Sequence, residues 1–144
     1  MTDEFDTVKK IKLKKDLTLN NLQELGLILP NLMVLKLNDS NIQSLRDIGT
    51  SLKCLEALYI SRCNLNELSG LVCFPKLQEI YASFNNISDL RPISDAYNLM
   101  ILDIEGNDIT EIKQLDYLDY SHRLKNLNID NNKVNSNITQ KLIL

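Results

Sequence analysis

Tryptophan is absent from this 144-residue chain, and glycine, proline, cysteine and phenylalanine are scarce, with four, three, three and three copies. No stretch approaches the roughly 18 uninterrupted apolar residues that cross a bilayer. The acidic opening from Met1 to Asp6 lacks the apolar run of a secretory signal. Cys54, Cys63 and Cys73 are odd in number and have no C-x-x-C spacing, which argues against a disulfide or zinc framework and suits a reducing compartment. The expected setting is therefore intracellular, where triplets such as Asn86-Ile87-Ser88 would not meet glycosylation enzymes. A net charge of −3 is too small to argue for nucleic-acid or membrane binding. Phosphate-binding loops, H-E-x-x-H and calcium loops are missing, so no motif asks for a cofactor or a metal. The lone histidine, His122, has no Cys, Asp or Ser partner at a motif spacing. Catalysis finds no support.

Leucine, isoleucine and asparagine dominate what remains. Asparagine is poor in helix and strand interiors, so an Asn-rich chain with few glycines needs an architecture that places Asn at fixed turns. One frame supplies them. Leu32-x-x-Leu35-x-Leu37-x-x-Ser40-x-Ile42-x-x-Leu45 returns at Leu55, Leu77, Leu99 and Leu124, at intervals of 23, 22, 22 and 25 residues. A degenerate first copy fits Val8, Ile11, Leu13 and Asp16. The fourth and sixth residues of the frame alternate inward on a short strand. At the ninth, where the chain turns, a side chain can bond backbone groups that have no other partner. Asn85, Asn107 and Asn132 fill that place, with Cys63, Ser40 and Asp16 as weaker substitutes.

The frame predicts an α/β leucine-rich-repeat solenoid of about six repeats, starting near 8, 32, 55, 77, 99 and 124. A parallel β-sheet forms its concave wall. Threefold spacing in Leu68-x-x-Leu71-x-x-Phe74, Leu90-x-x-Ile93 and Ile112-x-x-Leu115-x-x-Leu118 predicts 3₁₀ or short helices on the convex side. Pro75 and Pro92 would interrupt anything longer. The longer last interval, Asp116 to Arg123, predicts a true helical turn. Residues 1–144 form a single repeat domain on this reading, the N-terminal part of a longer protein. The apolar ending Leu142-Ile143-Leu144 leaves an uncapped end that could support weak self-association.

Outward strand positions define the expected partner-binding face. They run from Lys10, Lys12, Lys14, Lys15 and Lys36 through Ala57, Tyr59, Ser61 and Arg62 to Glu79, Tyr81, Ser83 and Phe84. Ile101, Asp103, Glu105 and Asp130 follow, so the face passes from basic through aromatic to acidic. Exposed tyrosines can serve cross-strand packing alone. Tyrosine anchors with flanking charge are equally what protein interfaces use for affinity and register. The candidate binding set is Lys12, Lys36, Tyr59, Arg62, Glu79, Tyr81, Phe84, Asp103 and Glu105.

The frame resembles the roughly 22-residue repeat class shared by phosphatase regulators, axonemal dynein light chains and a spliceosomal protein. Residues outside the frame narrow the resemblance. The stretches SLRDIGTSL (44–52), ISRCNLNEL (60–68), LQEIYASFNNISDLRPI (77–93) and LDIEGNDI (102–109) resemble the leucine-rich repeat-containing protein 56 family. Nothing in the frame demands Arg46-Asp47 or Arg62-Cys63. That resemblance implies a non-catalytic scaffold in the cytoplasm and the cilium or flagellum. It implies assembly or transport of outer dynein arms, with outer-dynein-arm or intraflagellar-transport components as partners. Two alternatives stay open, a spliceosomal-type ribonucleoprotein adaptor and a phosphatase regulatory subunit.

Overall fold

Each frame of the sequence contributes one three-residue strand. In the computed structural model, which describes residues 4–134, these are β1 (Lys10–Lys12), β2 (Val34–Lys36), β3 (Ala57–Tyr59), β4 (Glu79–Tyr81), β5 (Ile101–Asp103) and β6 (Asn126–Asn128). They form one six-stranded parallel sheet in sequence order. The register puts like frame positions side by side, so Ile11, Leu35, Leu58, Ile80, Leu102 and Leu127 make a single inward row.

In the second to sixth repeats the chain turns at a left-handed eighth frame position, three residues past each strand. Asp39, Arg62, Phe84, Gly106 and Asn131 have φ between 54° and 65°. Their N–H groups still serve the stack: Arg62 donates to the Ser83 carbonyl at 3.0 Å, and Phe84 to Glu105 at 2.7 Å. The ninth side chain then tucks under the turn. Asn85 Nδ2 donates to the carbonyls of Ile60 and Ala82 at 2.8 and 3.0 Å, and its Oδ1 accepts from Cys63 and Leu65 N–H. Asn107 bridges Ala82 and Ile104 in the same way, and Asn132 bridges Ile104 and Ile129. Cys63 performs half of this role, its thiol donating to the Leu37 carbonyl at 3.1 Å. Asp16 does not join the ladder. It is exposed, and its carboxylate accepts locally from Thr18 N–H at 3.0 Å and from the Thr18 hydroxyl.

Short helices return the chain on the convex side: α1 (Leu25–Ile28) and 3₁₀ helices at Leu45–Ile48, Leu71–Cys73, Arg91–Asp95 and Ile112–Tyr120. Ser44 starts the Leu45–Ile48 turn with a reciprocal capping box to Asp47. Pro92 sits in the first turn of Arg91–Asp95, where its missing N–H costs nothing. The helical turn expected at 116–123 begins earlier, at Ile112, ends at Tyr120, and is 3₁₀ throughout. Its threefold spacing of apolar residues matches three residues per turn.

Between sheet and helices runs one apolar core. Leu32, Leu35, Leu37, Ile42, Leu45, Leu55, Leu58 and Ile60 are wholly buried, each stabilising the fold by about 1.5–3 kcal/mol before entropy is counted. Ile112 departs from the expected core set, being 46% exposed at the start of its 3₁₀ helix, whereas Leu115 and Leu118 of the same helix are buried. Ala57 and Ser83, expected on the outer face, are buried. Ala57 is too short to rise above its register neighbours Val34 and Glu79. Ser83 lies just before the corner, its carbonyl accepting from Arg62 N–H and from Asn85 Nδ2. The first repeat carries core residues beyond its degenerate frame, namely Leu17, Leu22 and Leu29. Leu142–Leu144, and any self-association they would support, lie outside the described residues.

Candidate protein-binding face

The fifth frame position of every repeat points to the concave side, and the register joins these residues into one row. It runs Lys12, Lys36, Tyr59, Tyr81, Asp103 and Asn128. Tyr59 and Tyr81 stack with ring centroids 4.4 Å apart and planes 17° from parallel. Lys36 Nζ lies 4.3 Å from the Tyr59 ring centroid, within cation–π range. The Tyr81 hydroxyl donates to Glu79 Oε2 at 2.9 Å. Partial burial, with this carboxylate beside it, pushes the Tyr81 phenol well above its ordinary pKa, so it stays a neutral donor. Tyr59, Tyr81, Lys36 and Glu79 thus form one connected cluster at the middle of the sheet.

A second row follows the left-handed corners. Arg62 Nε donates to Asp39 Oδ1 at 2.7 Å, joining the corners of adjacent repeats. The Arg62 guanidinium holds the Asp39 carboxyl below the usual carboxylate range. Both groups are largely exposed, so the pair orients the corner more than it stabilises it. Phe84 comes next and is 49% exposed. Its ring lies over Gly106, where a Cβ would fall 2.4 Å from Phe84 Cδ1. Gly106 therefore serves twice, adopting positive φ and making room for the ring.

Beyond Tyr81 the face is acidic. Asp103 Oδ1 accepts from Glu105 N–H at 3.1 Å, and the Glu105 carboxylate accepts from Asn128 and Asn131 side chains at 3.3 and 2.9 Å. Glu105 is thus held by the sixth repeat, whereas Lys12 and Lys36 at the other end stand side by side in the register.

The structure brings together Lys36, Tyr59, Glu79 and Tyr81, with Lys12 and Asp103 continuing their row. Arg62 and Phe84 occupy the adjacent corner row. Sequence reasoning missed that the eighth position is a left-handed corner, although Asp39, Gly106 and Asn131 there are residue types suited to it. It also missed that Arg62 is spoken for by Asp39. Neither His122, which is exposed, nor the half-buried Cys54 and Cys73 joins these rows. Cys63 is fully buried, and burial pushes its thiol up to about 11. Among the described residues no group of three His, Cys, Asp or Glu side chains is placed to hold a metal, and no helix is long and apolar enough to cross a membrane.

The surface has the geometry by which repeat solenoids bind proteins: an extended, ribbed, concave sheet. Known proteins agree with this architecture. Residues 29–87 match the leucine rich repeat family model. The crystal structure of an internalin C2 from Listeria monocytogenes superposes with a TM-score of 0.71 over 91% of this chain and 55% of that one, at 24% identity, which speaks to fold alone. In sequence, the chain is 43% identical over 132 residues to leucine-rich repeat-containing protein 56 of Mus musculus, and 38% identical over 125 residues to the homolog of that protein in Trypanosoma brucei brucei. These alignments cover 92% and 85% of this chain but only 24% and 17% of the relatives, so the chain spans about a quarter or less of their length. Its repeats belong to the leucine-rich repeat-containing protein 56 family, within the leucine-rich-repeat class of solenoids.

Proposed function

We propose that this chain is a single, non-catalytic repeat domain that grips a protein partner across its concave face. We propose further that it acts in the assembly or transport of outer dynein arms, in the cytoplasm and the cilium or flagellum, on dynein-arm or intraflagellar-transport components. The ciliary part rests on the family resemblance of its sequence. The binding part rests on one observation, the Tyr59–Tyr81 stack flanked by Lys36 and Glu79 at the centre of the face. Two large amphipathic rings there offer apolar area at low entropic cost, which is what interface anchors need.

Lys12 and Lys36 lie to one side of the stack, and Asp103 and Glu105 to the other. A complementary segment lying across the strands is apolar or aromatic at its middle, acidic towards β1 and basic towards β6. Phe84 and Arg62 edge the same surface and contact its flank. Truncating a central aromatic anchor costs about 2 kcal/mol or more in binding. Tyr59→Ala with Tyr81→Ala should therefore abolish capture of outer-dynein-arm subunits from ciliary extract, read by quantitative mass spectrometry, with the fold intact. Asp103→Lys should weaken capture chiefly at low salt, because rim charges act on association rate. Lys113→Glu, on the convex 3₁₀ helix, should do neither. Equal recovery of the same subunits by the tyrosine variant would remove the concave face from the mechanism.

A further inference from the structure

The first-repeat end of the stack carries a backbone edge and a groove that the concave-face proposal does not use, although Lys12 borders both. Among the described residues β1 is the outermost strand, and nothing pairs with its far edge. In a ladder, successive residues direct their peptide groups to opposite sides. The Lys9 carbonyl accepts from Val34 N–H at 2.9 Å, and Leu13 N–H donates to the Lys36 carbonyl at 2.8 Å. Lys9, Ile11 and Leu13 thus face β2, which leaves the N–H and C=O groups of Lys10 and Lys12 directed away from the sheet. Behind this edge runs a groove of about 590 Å³ between Ile11 on the strand, Leu13 just after it, and Leu19, Leu22, Leu25 and Ile28 on the convex return, with polar side chains including Asn20 and Glu24 among them. Leu19 is 78% exposed and Ile28 52%. Exposed aliphatic side chains gathered beside an open strand edge are a surface on which a partner can bury apolar area.

Charge selects the occupant. Lys9, Lys10, Lys12, Lys14 and Lys15 are all exposed, and none forms an ion pair among the described residues. A second copy presenting its own β1 would set lysine against lysine across the new ladder, which is unfavourable. We infer that this end takes up an extended segment of a partner protein as a seventh strand, with acidic residues alternating with aliphatic ones. Its backbone pairs with Lys10 and Lys12, its aliphatic side chains enter the groove beside Ile11, and its carboxylates lie against the lysines. The inference shares Lys12 with the concave face but turns on the main-chain edge of β1 and the groove behind it, which that face does not use.

The test uses the folded chain and the heptapeptide SEIEVES as probe, with SKIKVKS and an SEIEVES carrying N-methyl groups on alternate peptide nitrogens as controls. SEIEVES should bind, measured by fluorescence anisotropy, and should slow hydrogen exchange at the Lys10 and Lys12 amides. Lys10→Glu with Lys12→Glu, both exposed positions, should weaken SEIEVES at least tenfold and favour SKIKVKS. Tyr59→Ala with Tyr81→Ala should leave binding unchanged. Equal binding of the N-methylated peptide or of SKIKVKS to the unaltered chain would overturn the inference. So would loss of binding in the tyrosine variant, which would place the peptide on the concave face. Concentration-dependent protection of Lys10 and Lys12 without peptide would overturn it too, by assigning the edge to a second copy.

Discussion

Phe84 holds a left-handed backbone at φ 57° while half its surface is exposed, a costly place for a bulky side chain. For a residue with a Cβ this conformation costs roughly 1–2 kcal/mol, which Asn tolerates better. Asn131 occupies the equivalent corner of the sixth repeat. Phe84→Asn should therefore raise the melting temperature slightly, by the equivalent of less than about 1 kcal/mol, because the lost contact of the half-buried ring offsets most of the relieved strain. It should also lower partner capture. Strain retained at an exposed aromatic is the pattern of a binding residue, and a variant that melts lower would show instead that the ring is held by packing. Cys63 illustrates the opposite case, a polar atom kept for the fold. Its thiol titrates at about 11 in the folded chain, above its ordinary value of 9.0, because burial disfavours the thiolate. Folding is then helped by the neutral thiol below pH 9, and that help is lost as pH rises through about 11. Melting curves at pH 8 and pH 10.5 should fall further for the natural chain than for Cys63→Ser. At pH 8 an alkylating reagent should modify Cys54 and Cys73 well before Cys63; equal rates would contradict the buried corner.

The asparagine corners decide how one repeat is tied to the next. Asn85 satisfies two N–H groups and two carbonyls of the corner interior, and Asn107 bridges two carbonyls and accepts from Ile87 N–H. Alanine at either site strands buried backbone groups, at roughly 1–3 kcal/mol each. Asn98 is different: its side chain donates to the Pro75 carbonyl at an exposed site, where water can replace it. Chemical denaturation should therefore show clear losses for Asn85→Ala and Asn107→Ala and a small one for Asn98→Ala. Equal losses would mean that the corner bonds are not what binds the repeats together. The strand that each corner ends is only three residues long. Main-chain bonds on either side of it, such as Glu56 N–H to the Met33 carbonyl and Leu37 N–H to the Tyr59 carbonyl, continue the connection, and the corner bonds add to it.

Each repeat buries its apolar face only against its neighbours, so stability in the stack is shared along a line. Leu102 is wholly buried and lies in the register between Ile80 and Leu127. Leu102→Ala should cost about 2–5 kcal/mol, and hydrogen exchange should quicken in β4 and β6 as well as in β5. Acceleration confined to β5 would mean that the repeats behave as separate units. The ends of the line differ from its middle. Leu124, Leu127, Ile129 and Val134 are only partly buried, while their counterparts in the second, third and fourth repeats are buried throughout.

What the sequence by itself determined was most of what is periodic, the left-handed eighth position excepted. The strand positions, the inward row, the asparagine corners and the adjacency of Tyr59 and Tyr81 all follow from a frame of 22 to 25 residues, because equal spacing forces equal places in a stack. What only the tertiary structure decided lies between repeats or outside the frame. That Ala57 sinks beneath Val34 and Glu79, that Arg62 turns to Asp39, and that Phe84 lies over Gly106 depend on neighbours 22 or 23 residues away, and side-chain length and backbone hand decide the contact. The frame is blind to both. The open edge of β1 and its groove arise for the same reason: a repeat pattern specifies what each copy does to the next, and the first copy has a side that the pattern does not describe.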